Sequence, residues 1–153
     1  MGGLSQAAVT PKLKVREATY ADLPRLVQLG HQFWKHSPYE GIADFNEESL
    51  LSYGAALIEE DRSVIFTNGR GMIGGTLMPL YFGQTLVAQE IFWYAQEGGK
   101  ELLDAFEQWA KDQGASQVAV SSFAGETRMH KLIETLYKRR KYKATETQYL
   151  KEI

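Results

Sequence analysis

The chain has 153 residues, a formal net charge of −2 and no cysteine. A net negative charge excludes the electrostatic footprint of a general nucleic-acid binder. The absence of cysteine excludes disulfides, thiolate metal sites and cysteine nucleophiles. No stretch approaches the ~20 apolar residues that span a bilayer, and the first residues lack the charged and apolar regions of a signal peptide. We therefore expect a cytoplasmic protein with neither a nucleic acid nor a membrane as partner.

Hydrophobic periodicity and turn signals divide the chain into strands and helices. Residues 1–11 are predicted to be a flexible lead-in and residues 12–153 a single domain. The predicted elements, in chain order, are a strand at 12–18, helices that begin at Asp22 and Asn46, strands at 63–67, 72–82 and 86–94, a helix at 99–113, a strand at 117–123, a helix at 126–140 and a strand at 145–153. Antiparallel hairpins followed by a β-α-β unit indicate an α+β fold, an α/β/α sandwich whose mixed, mostly antiparallel sheet has helices on both faces.

The stretch from Gln89 to Gly99 is the most informative part of the sequence. It is typical of a strand, a tight glycine turn and the start of an amphipathic helix. Such a turn presents backbone N–H groups to a phosphate at the helix N-terminus. Glu90 adds a carboxylate on the strand that precedes the turn. A phosphate site beside a candidate base indicates a transferase that uses a phosphate-bearing cofactor.

Several segments match one known superfamily, and they are Val15–Thr19 with Asp22-Leu23, Gly74-Gly75, Glu90–Trp93, Leu102–Ala110 with Gly114, and Leu136–Tyr142. In these segments and in the order of its elements, the chain from Val15 to Ile153 resembles the GNAT (Gcn5-related N-acetyltransferase) superfamily. It is most similar to the GNATs carried by bacteriophages. The resemblance implies an N-acetyltransferase that moves an acetyl group from acetyl-CoA to an amine by direct attack.

The resemblance also assigns residues to coenzyme A, and these are Phe92, Trp93, Tyr94, Gln96, Gly98, Gly99 and Lys100. The pantetheine is expected to pair with the strand edge, where a backbone N–H near Trp93 or Tyr94 polarises the thioester carbonyl. The pyrophosphate is expected over Gly98, Gly99 and Lys100. The alternative is that the two glycines form only a turn between strand and helix.

Two positions depart from the superfamily pattern. The pyrophosphate signature is Gln/Arg-x-x-Gly-x-Gly/Ala; Gln96 and Gly99 fit it, but Glu101 replaces the small last residue. Acidic side chains near a pyrophosphate weaken its binding unless they point outward and Lys100 offsets them. After the fourth helix, Lys141-Tyr142 stands where the superfamily usually has Gly-Phe.

Glu90 and Tyr137 are the candidate catalytic residues, and each has an ordinary structural alternative. Many GNATs place their general base on the strand that corresponds to the one carrying Glu90 here. An apolar pocket around such a carboxyl group raises its pKa, so that it can accept a proton. The alternative is a solvent-facing or salt-bridged strand residue. The tyrosine of the superfamily's Leu-Tyr motif, here Tyr137, often protonates the departing thiolate. The alternative is a core tyrosine whose hydroxyl is hydrogen-bonded.

The remaining candidates carry weaker signals. The histidines show no ligand spacing with acidic partners, so no metal site is expected at His31, His36 or His130. Four aromatic residues either line an acceptor pocket or belong to the core, and they are Tyr39, Phe45, Tyr81 and Phe82.

The expected acceptor is a small-molecule or peptide amine. One rival is a non-catalytic GNAT-fold protein that acts through protein–protein contacts and binds coenzyme A weakly or not at all; the acidic loop favours it. The other rival is a homodimeric module whose C-terminal strand pairs with a partner chain.

Overall fold

The computed structural model describes residues 13–125 and 127–153. The predicted lead-in at 1–11 lies outside the described residues. The strands are β1 (Arg16–Glu17), β2 (Ser63–Thr67), β3 (Gly71–Pro79), β4 (Leu86–Ala95) and β5 (Gln117–Ala119). The α-helices are α1 (Leu23–Lys35), α2 (Glu47–Glu59), α3 (Gly99–Asp112) and α4 (Arg128–Arg139), with short 3-10 helices at Tyr20–Asp22 and Pro38–Gly41. The chain divides into two compact units, of which the first ends at Val120 and the second comprises Ser121–Ile153.

The first unit contains a five-stranded sheet in the order β1-β2-β3-β4-β5. Strands β1 to β4 pair antiparallel, and β5 pairs parallel to β4. A parallel neighbour requires a crossover connection, which α3 provides between β4 and β5. The predicted α+β fold with a mixed, mostly antiparallel sheet is therefore confirmed.

Helices cover both faces of this sheet. Leu26, Leu29 and Leu57 of α1 and α2 form one buried cluster with Ile65 and Met72. The next residue along β3, Ile73, faces the other way, because successive strand residues alternate between faces. That second face is covered by α3, whose Leu102, Leu103 and Phe106 are fully buried.

Glycines on β3 allow close packing on both faces. A Cβ on Gly75 would lie 2.5 Å from the Gln89 carbonyl oxygen and equally close to the Phe106 ring. A Cβ on Gly74 would overlap the Phe92 ring on the opposite face. A side chain at either position would therefore push apart layers that are packed at native density.

Helix ends follow the predicted signals. The Asn46 side chain accepts the N–H of Ser49 at 2.8 Å, so it caps α2 as the sequence predicts. Helix α3 is terminated by Gly114, which lies just after its last residue and has a φ of +83°. The N–H of Gly114 bonds to Lys111, and the N–H of Ala115 bonds to Ala110. These two bonds form the Schellman motif, in which glycine tolerates the left-handed conformation.

In the second unit, α4 ends with the same motif but without glycine. Lys141 has a φ of +70°, and among the described residues it is the one non-glycine residue with a positive φ. Its N–H bonds to Lys138, and the N–H of Tyr142 bonds to Tyr137. This position is where the superfamily usually has glycine, so the departure seen in the sequence falls on a backbone conformation that disfavours side chains.

Two predicted strands differ from the structure. The strand predicted at 117–123 ends at Ala119, and the strand predicted at 145–153 is wrong because those residues form no strand. Tyr149 and Ile153 are exposed. Alternation of side chains shows which residues would share a face, but a strand also needs a neighbour for its hydrogen bonds.

Candidate active site

The pairing between β4 and β5 ends early. Their parallel ladder stops at Gln89 and Ala119, whereas β4 continues to Ala95. Within the described part of the chain, no other strand joins this side of β4. Beyond Gln89 this edge of β4 therefore has no neighbouring strand, and a strand edge of this kind can pair with an extended ligand.

A register shift divides β4 at the start of this edge. Glu90 lies opposite Gly75, and Phe92 lies opposite Gly74, so Ile91 is the extra residue. Bulges of this kind disrupt the ladder locally and redirect the backbone groups and side chains beside them. The bulge lies where β4 leaves the parallel ladder.

Glu90 is buried, with only 5 % of its surface exposed. Opposed residues of an antiparallel ladder share a face, so Glu90 lies on the face of Gly75, which α3 covers. Burial excludes the interpretation of Glu90 as a solvent-facing strand residue. A buried carboxylate is costly unless it is paired or hydrogen-bonded, and among the described residues Glu90 and Thr67 are the buried polar side chains.

The three aromatic residues of this edge lie on two faces. Phe92 packs over Gly74, and Tyr94 lies against Phe33 with a ring separation of 5.5 Å. Both rings join the cluster beneath α1 and α2. Trp93 lies on the α3 side, where its Nε1 donates to the carbonyl oxygen of Gly99 at 3.1 Å. The indole thus ties β4 to the first residue of α3.

The turn after β4 is built around Gly98, whose φ of +75° is left-handed. The N–H of Leu102 donates to the carbonyl oxygen of Gly98 at 3.2 Å, which closes the first turn of α3. The amides that precede it in this turn, including that of Gly99, have no intrahelical acceptor. They lie at the positive end of the helix dipole, so the turn suits an anion such as a pyrophosphate.

Charges near this turn have both signs. Lys100 is exposed, and Glu101 lies in the first turn of α3. The Glu97 carboxylate is exposed and lies 3.6 Å from the Nε of Arg70. Arg70 therefore offsets one of the two acidic side chains that the sequence places beside the turn, while Glu101 stays close to the helix N-terminus.

Tyr137 lies in the second unit, on α4. Its hydroxyl donates to the carbonyl oxygen of Ser121 at 2.6 Å, and its ring lies 5.4 Å from that of Tyr142. All the other predicted site residues belong to one continuous stretch of the first unit, and they are Glu90, Phe92, Trp93, Tyr94, Gln96, Gly98, Gly99 and Lys100.

The aromatic residues considered for an acceptor pocket separate into two groups. Tyr81 and Phe82 are more than four-fifths exposed at the β3–β4 turn, so they are not core residues. Phe45 packs against His31 and Trp34, with ring separations of 4.8 and 5.8 Å. Phe45 is therefore packed among other rings, while Tyr39 lies exposed on the 3-10 helix at Pro38–Gly41.

Sequence reasoning missed two residues beside the turn. Asn68 and Arg70 appear in the sequence only as parts of a hairpin turn. In the structure the Asn68 side chain donates to the Glu97 carbonyl oxygen, and the Arg70 carbonyl oxygen accepts the N–H of Gln96. These contacts join segments that are far apart in the sequence, so no local sequence pattern predicts them.

Neither a metal nor a membrane-spanning helix is indicated in the ranges that the structure describes. Residues 13–125 and 127–153 contain no group of three His, Cys, Asp or Glu side chains that could hold a metal ion. No helix in those ranges is long and apolar enough to cross a bilayer.

Comparisons with known proteins find similarity in structure and not in sequence. No family model matches the sequence, and no curated protein matches it. One similar structure is the aminoglycoside N-acetyltransferase AAC(6')-Iy in complex with the bisubstrate analog CoA-S-monomethyl-acetylneamine, at 16% identity and a TM-score of 0.70, over 94% of this chain and 99% of that one.

Two further solved structures widen the comparison. A ribosomal-protein-alanine N-acetyltransferase from Brucella melitensis biovar Abortus 2308 has 14% identity and a TM-score of 0.62, over 92% of this chain and 98% of that one. A transcriptional regulator from Bacillus halodurans C-125 has 15% identity and a TM-score of 0.71, over 93% of this chain and 100% of that one. At such identities the likeness establishes the fold: this chain has the fold of the GNAT acetyltransferases.

Proposed function

We propose that this protein is an N-acyltransferase that moves an acetyl group from acetyl-CoA to an amine by direct attack. The observation that carries the proposal is the edge of β4 beyond Gln89, which no strand of the described residues joins and which leads into the glycine turn at the N-terminus of α3. An edge that accepts an extended amide chain, followed by a turn that accepts a pyrophosphate, suits the two halves of coenzyme A. The GNAT fold of the chain supports the same conclusion.

The residues that would hold the cofactor follow from these positions. Backbone groups of Phe92, Trp93 and Tyr94 would pair with the pantetheine amides. The pyrophosphate would bind at the first turn of α3, over Gly98 and Gly99, with Gln96 and Lys100 beside it. Acetyl-CoA itself supplies an activated acyl group as a thioester.

The chemistry then needs few groups from the protein. The amine nitrogen bonds to the thioester carbonyl carbon while the carbon–sulfur bond breaks, and a backbone N–H near Trp93 or Tyr94 stabilises the negative charge on oxygen. Glu90 accepts the proton that the amine loses, directly or through water. Tyr137 gives a proton to the departing thiolate, in line with the GNAT resemblance. Positioning of the two reactants supplies much of the rate.

The proposal extends to the biological setting. We place this activity in a single catalytic domain over residues 12–153, in a cytoplasmic and phage-borne enzyme. Its acceptor is a small-molecule or peptide amine, and it has neither a nucleic acid nor a membrane as partner. We include a homodimer as its assembly.

A second candidate is a GNAT-fold protein that does not catalyse and acts through protein–protein contacts. The observation that favours it is the acidic character of the turn. Glu101 lies in the first turn of α3, where an anionic ligand would meet a like charge. This candidate predicts weak or no binding of coenzyme A.

A thermal-shift titration with acetyl-CoA separates the two candidates. A ligand at a hundred times its Kd stabilises the folded state by ~2.7 kcal/mol, so acetyl-CoA should raise the melting temperature in a dose-dependent way. A Gly99→Leu variant, which fills the turn, is the control and should lose the shift. No shift and no calorimetric heat at millimolar acetyl-CoA would favour the non-catalytic candidate. Release of free thiol with a panel of amines then tests the transfer itself.

A further inference from the structure

The turn between β2 and β3 makes three contacts with the loop that precedes α3. The Nδ2 of Asn68 donates to the carbonyl oxygen of Glu97 at 2.9 Å. The N–H of Gln96 donates to the carbonyl oxygen of Arg70 at 2.8 Å. A third contact is the ion pair between Arg70 and Glu97. We call Asn68, Gly69 and Arg70, with these contacts, the turn clamp.

The turn clamp is itself held in place. The Oδ1 of Asn68 accepts the N–H of Arg70 at 2.8 Å, so both ends of the Asn68 amide are used. The Nε of Arg25, on α1, donates to the carbonyl oxygen of Gly69 at 2.9 Å. The Oγ1 of Thr67, which is buried, donates to Gly71 and accepts the N–H of Gly69. A turn fixed at this many points can hold the loop that it contacts in one position.

Asn68 also lies beside Gly98, the residue that precedes α3. A Cβ on Gly98 would lie 2.5 Å from the Nδ2 of Asn68, so the amide fills the space that a side chain would need. The left-handed conformation of Gly98 and the position of Asn68 are therefore matched.

The three contacts of the turn clamp differ in strength. The ion pair joins two side chains that are more than half exposed, and exposed pairs at such distances contribute little. The Asn68 bond has the usual length of a hydrogen bond, 2.9 Å, and it fixes a backbone carbonyl only one residue before Gly98. Among the side chains of the turn clamp, Asn68 therefore has the greatest influence on the loop.

We propose that Asn68 is a positioning residue, which holds the Gln96–Gly98 loop so that the first-turn amides of α3 are aimed at the pyrophosphate of coenzyme A. This inference rests on the proposed function and deepens it. Asn68 acts through the loop, and its role is to reduce the ordering that the loop must undergo when the ligand binds.

The test compares the two asparagines of the chain. Asn68→Ala removes the donor to Glu97 and the acceptor for the N–H of Arg70, and Asn46→Ala removes the cap of α2, so both variants lose side-chain hydrogen bonds to the backbone. We expect Asn68→Ala to weaken coenzyme A binding about tenfold, the effect of a hydrogen bond of ordinary strength. Asn46→Ala should leave the Kd unchanged. Calorimetry with coenzyme A, and with pantetheine as the phosphate-free probe, measures both.

Hydrogen exchange on the ligand-free protein provides the second readout. Asn68→Ala should speed exchange at the amides of Gln96 and Leu102, which are hydrogen-bonded at the two ends of the loop, and leave the amide of Ser49 unchanged. Asn46→Ala should speed exchange at Ser49 and leave Gln96 and Leu102 unchanged. A neutral substitution is used because an aspartate would add a charge beside the phosphate site. Asn68→Gly, which suits turns, replaces the alanine variant if that variant fails to fold.

The outcomes separate this inference from the proposed function. Weaker binding of coenzyme A with unchanged binding of pantetheine supports the positioning role. Wild-type binding of coenzyme A by the Asn68 variants overturns it, as does an equal loss for coenzyme A and pantetheine, which would indicate a general structural defect. If the wild-type protein binds no coenzyme A, the proposed function fails and the inference fails with it.

Discussion

Glu90 lies directly opposite Gly75 in the β3–β4 ladder, immediately before the register shift of β4. The pair shares the face that α3 covers, and the Phe106 ring occupies the space that a side chain at Gly75 would need. If Glu90 is the general base, Glu90→Gln keeps its shape and removes its ability to take a proton. Turnover at neutral pH should fall by ~10²-fold or more, with little change in the Kd for acetyl-CoA.

The control for this variant is Glu17→Gln, since Glu17 is an exposed glutamate on β1 of the same sheet. It should keep wild-type turnover and stability. Steady-state kinetics and a thermal melt on each variant give both quantities. Wild-type turnover in Glu90→Gln would remove Glu90 from the mechanism.

Tyr137→Phe distinguishes a catalytic from a structural tyrosine. The hydroxyl bonds to the Ser121 carbonyl oxygen, so its loss should lower the free energy of unfolding by ~1 kcal/mol in either case. A catalytic role adds a fall in turnover per folded molecule, smaller than that of Glu90→Gln because solvent can also protonate a thiolate. Urea denaturation and turnover, measured on the same samples, decide. Unchanged turnover with reduced stability leaves only the structural role.

Gly98→Ala should destabilise the protein more than Gly114→Ala does. Both glycines have a positive φ, which costs a residue with a side chain ~1–2 kcal/mol. At Gly114 the added Cβ meets nothing within 4 Å, whereas at Gly98 it meets the Asn68 amide. Urea denaturation gives the free energy of unfolding of each variant, and the difference between the two measures the cost of crowding at residue 98. Equal destabilisation would show that Asn68 and Gly98 are not packed together.

Lys141→Gly should stabilise the protein by about 1 kcal/mol, because glycine relieves the left-handed strain at the C-terminus of α4. The two hydrogen bonds of the motif do not involve the lysine side chain, so they persist. Lys143→Gly is the matched control, since Lys143 does not have a positive φ. It should be neutral or destabilising. A lower melting temperature for Lys141→Gly would contradict the assigned conformation.

The low pKa of Asp22 predicts that the protein loses stability in acid. Hydrogen bonds from the Arg16 guanidinium, together with the N–H of Thr19, lower the pKa of Asp22 from 3.8 to about 2. Folding therefore favours the charged form. The stabilisation is complete above the unfolded pKa, near 4, and is lost as the pH falls through 2.

The variant Asp22→Asn tests whether this stabilisation is lost in acid. At pH 7 the variant should be less stable than the wild-type protein, and the gap should close as the pH falls from about 4 to 2. Urea denaturation across that range measures the gap. Asp61→Asn, which changes an exposed carboxylate in a turn, controls for the loss of any surface charge. A gap for Asp22→Asn that does not depend on pH would show that its bonds to Arg16 contribute no stability.

Local signals explain which parts of the fold could be predicted from the sequence. Asn46 and Gly114 mark helix ends through hydrogen bonds made within a few residues. The local sequence is therefore enough to predict where these helices begin and end. The strand at Ser63–Thr67 is likewise bounded by its own turn. The segment at 145–153 alternates just as clearly, but a strand depends on a partner elsewhere in the chain, and pattern alone cannot supply one.

The candidate site shows the same division. Gly98, Gly99 and the strand before them could be found from the order strand, glycine turn, helix. The bulge at Ile91 and the contact between Asn68 and Glu97 depend on how distant strands align. Sequence could place Glu90 on a strand, but its burial follows from the register with Gly75 and from the position of α3, which only the folded chain reveals.

The bond between the Trp93 indole and Gly99 has an optical consequence. Tryptophan emission responds to the surroundings of the ring, and this ring is bound to the first residue of the helix that would meet the pyrophosphate. The chain has three tryptophans, so a Trp34→Phe, Trp109→Phe variant would leave Trp93 as the single tryptophan, which can be excited apart from the tyrosines. Its emission would report on the loop in real time, and a stopped-flow instrument could then follow ligand entry without any added dye.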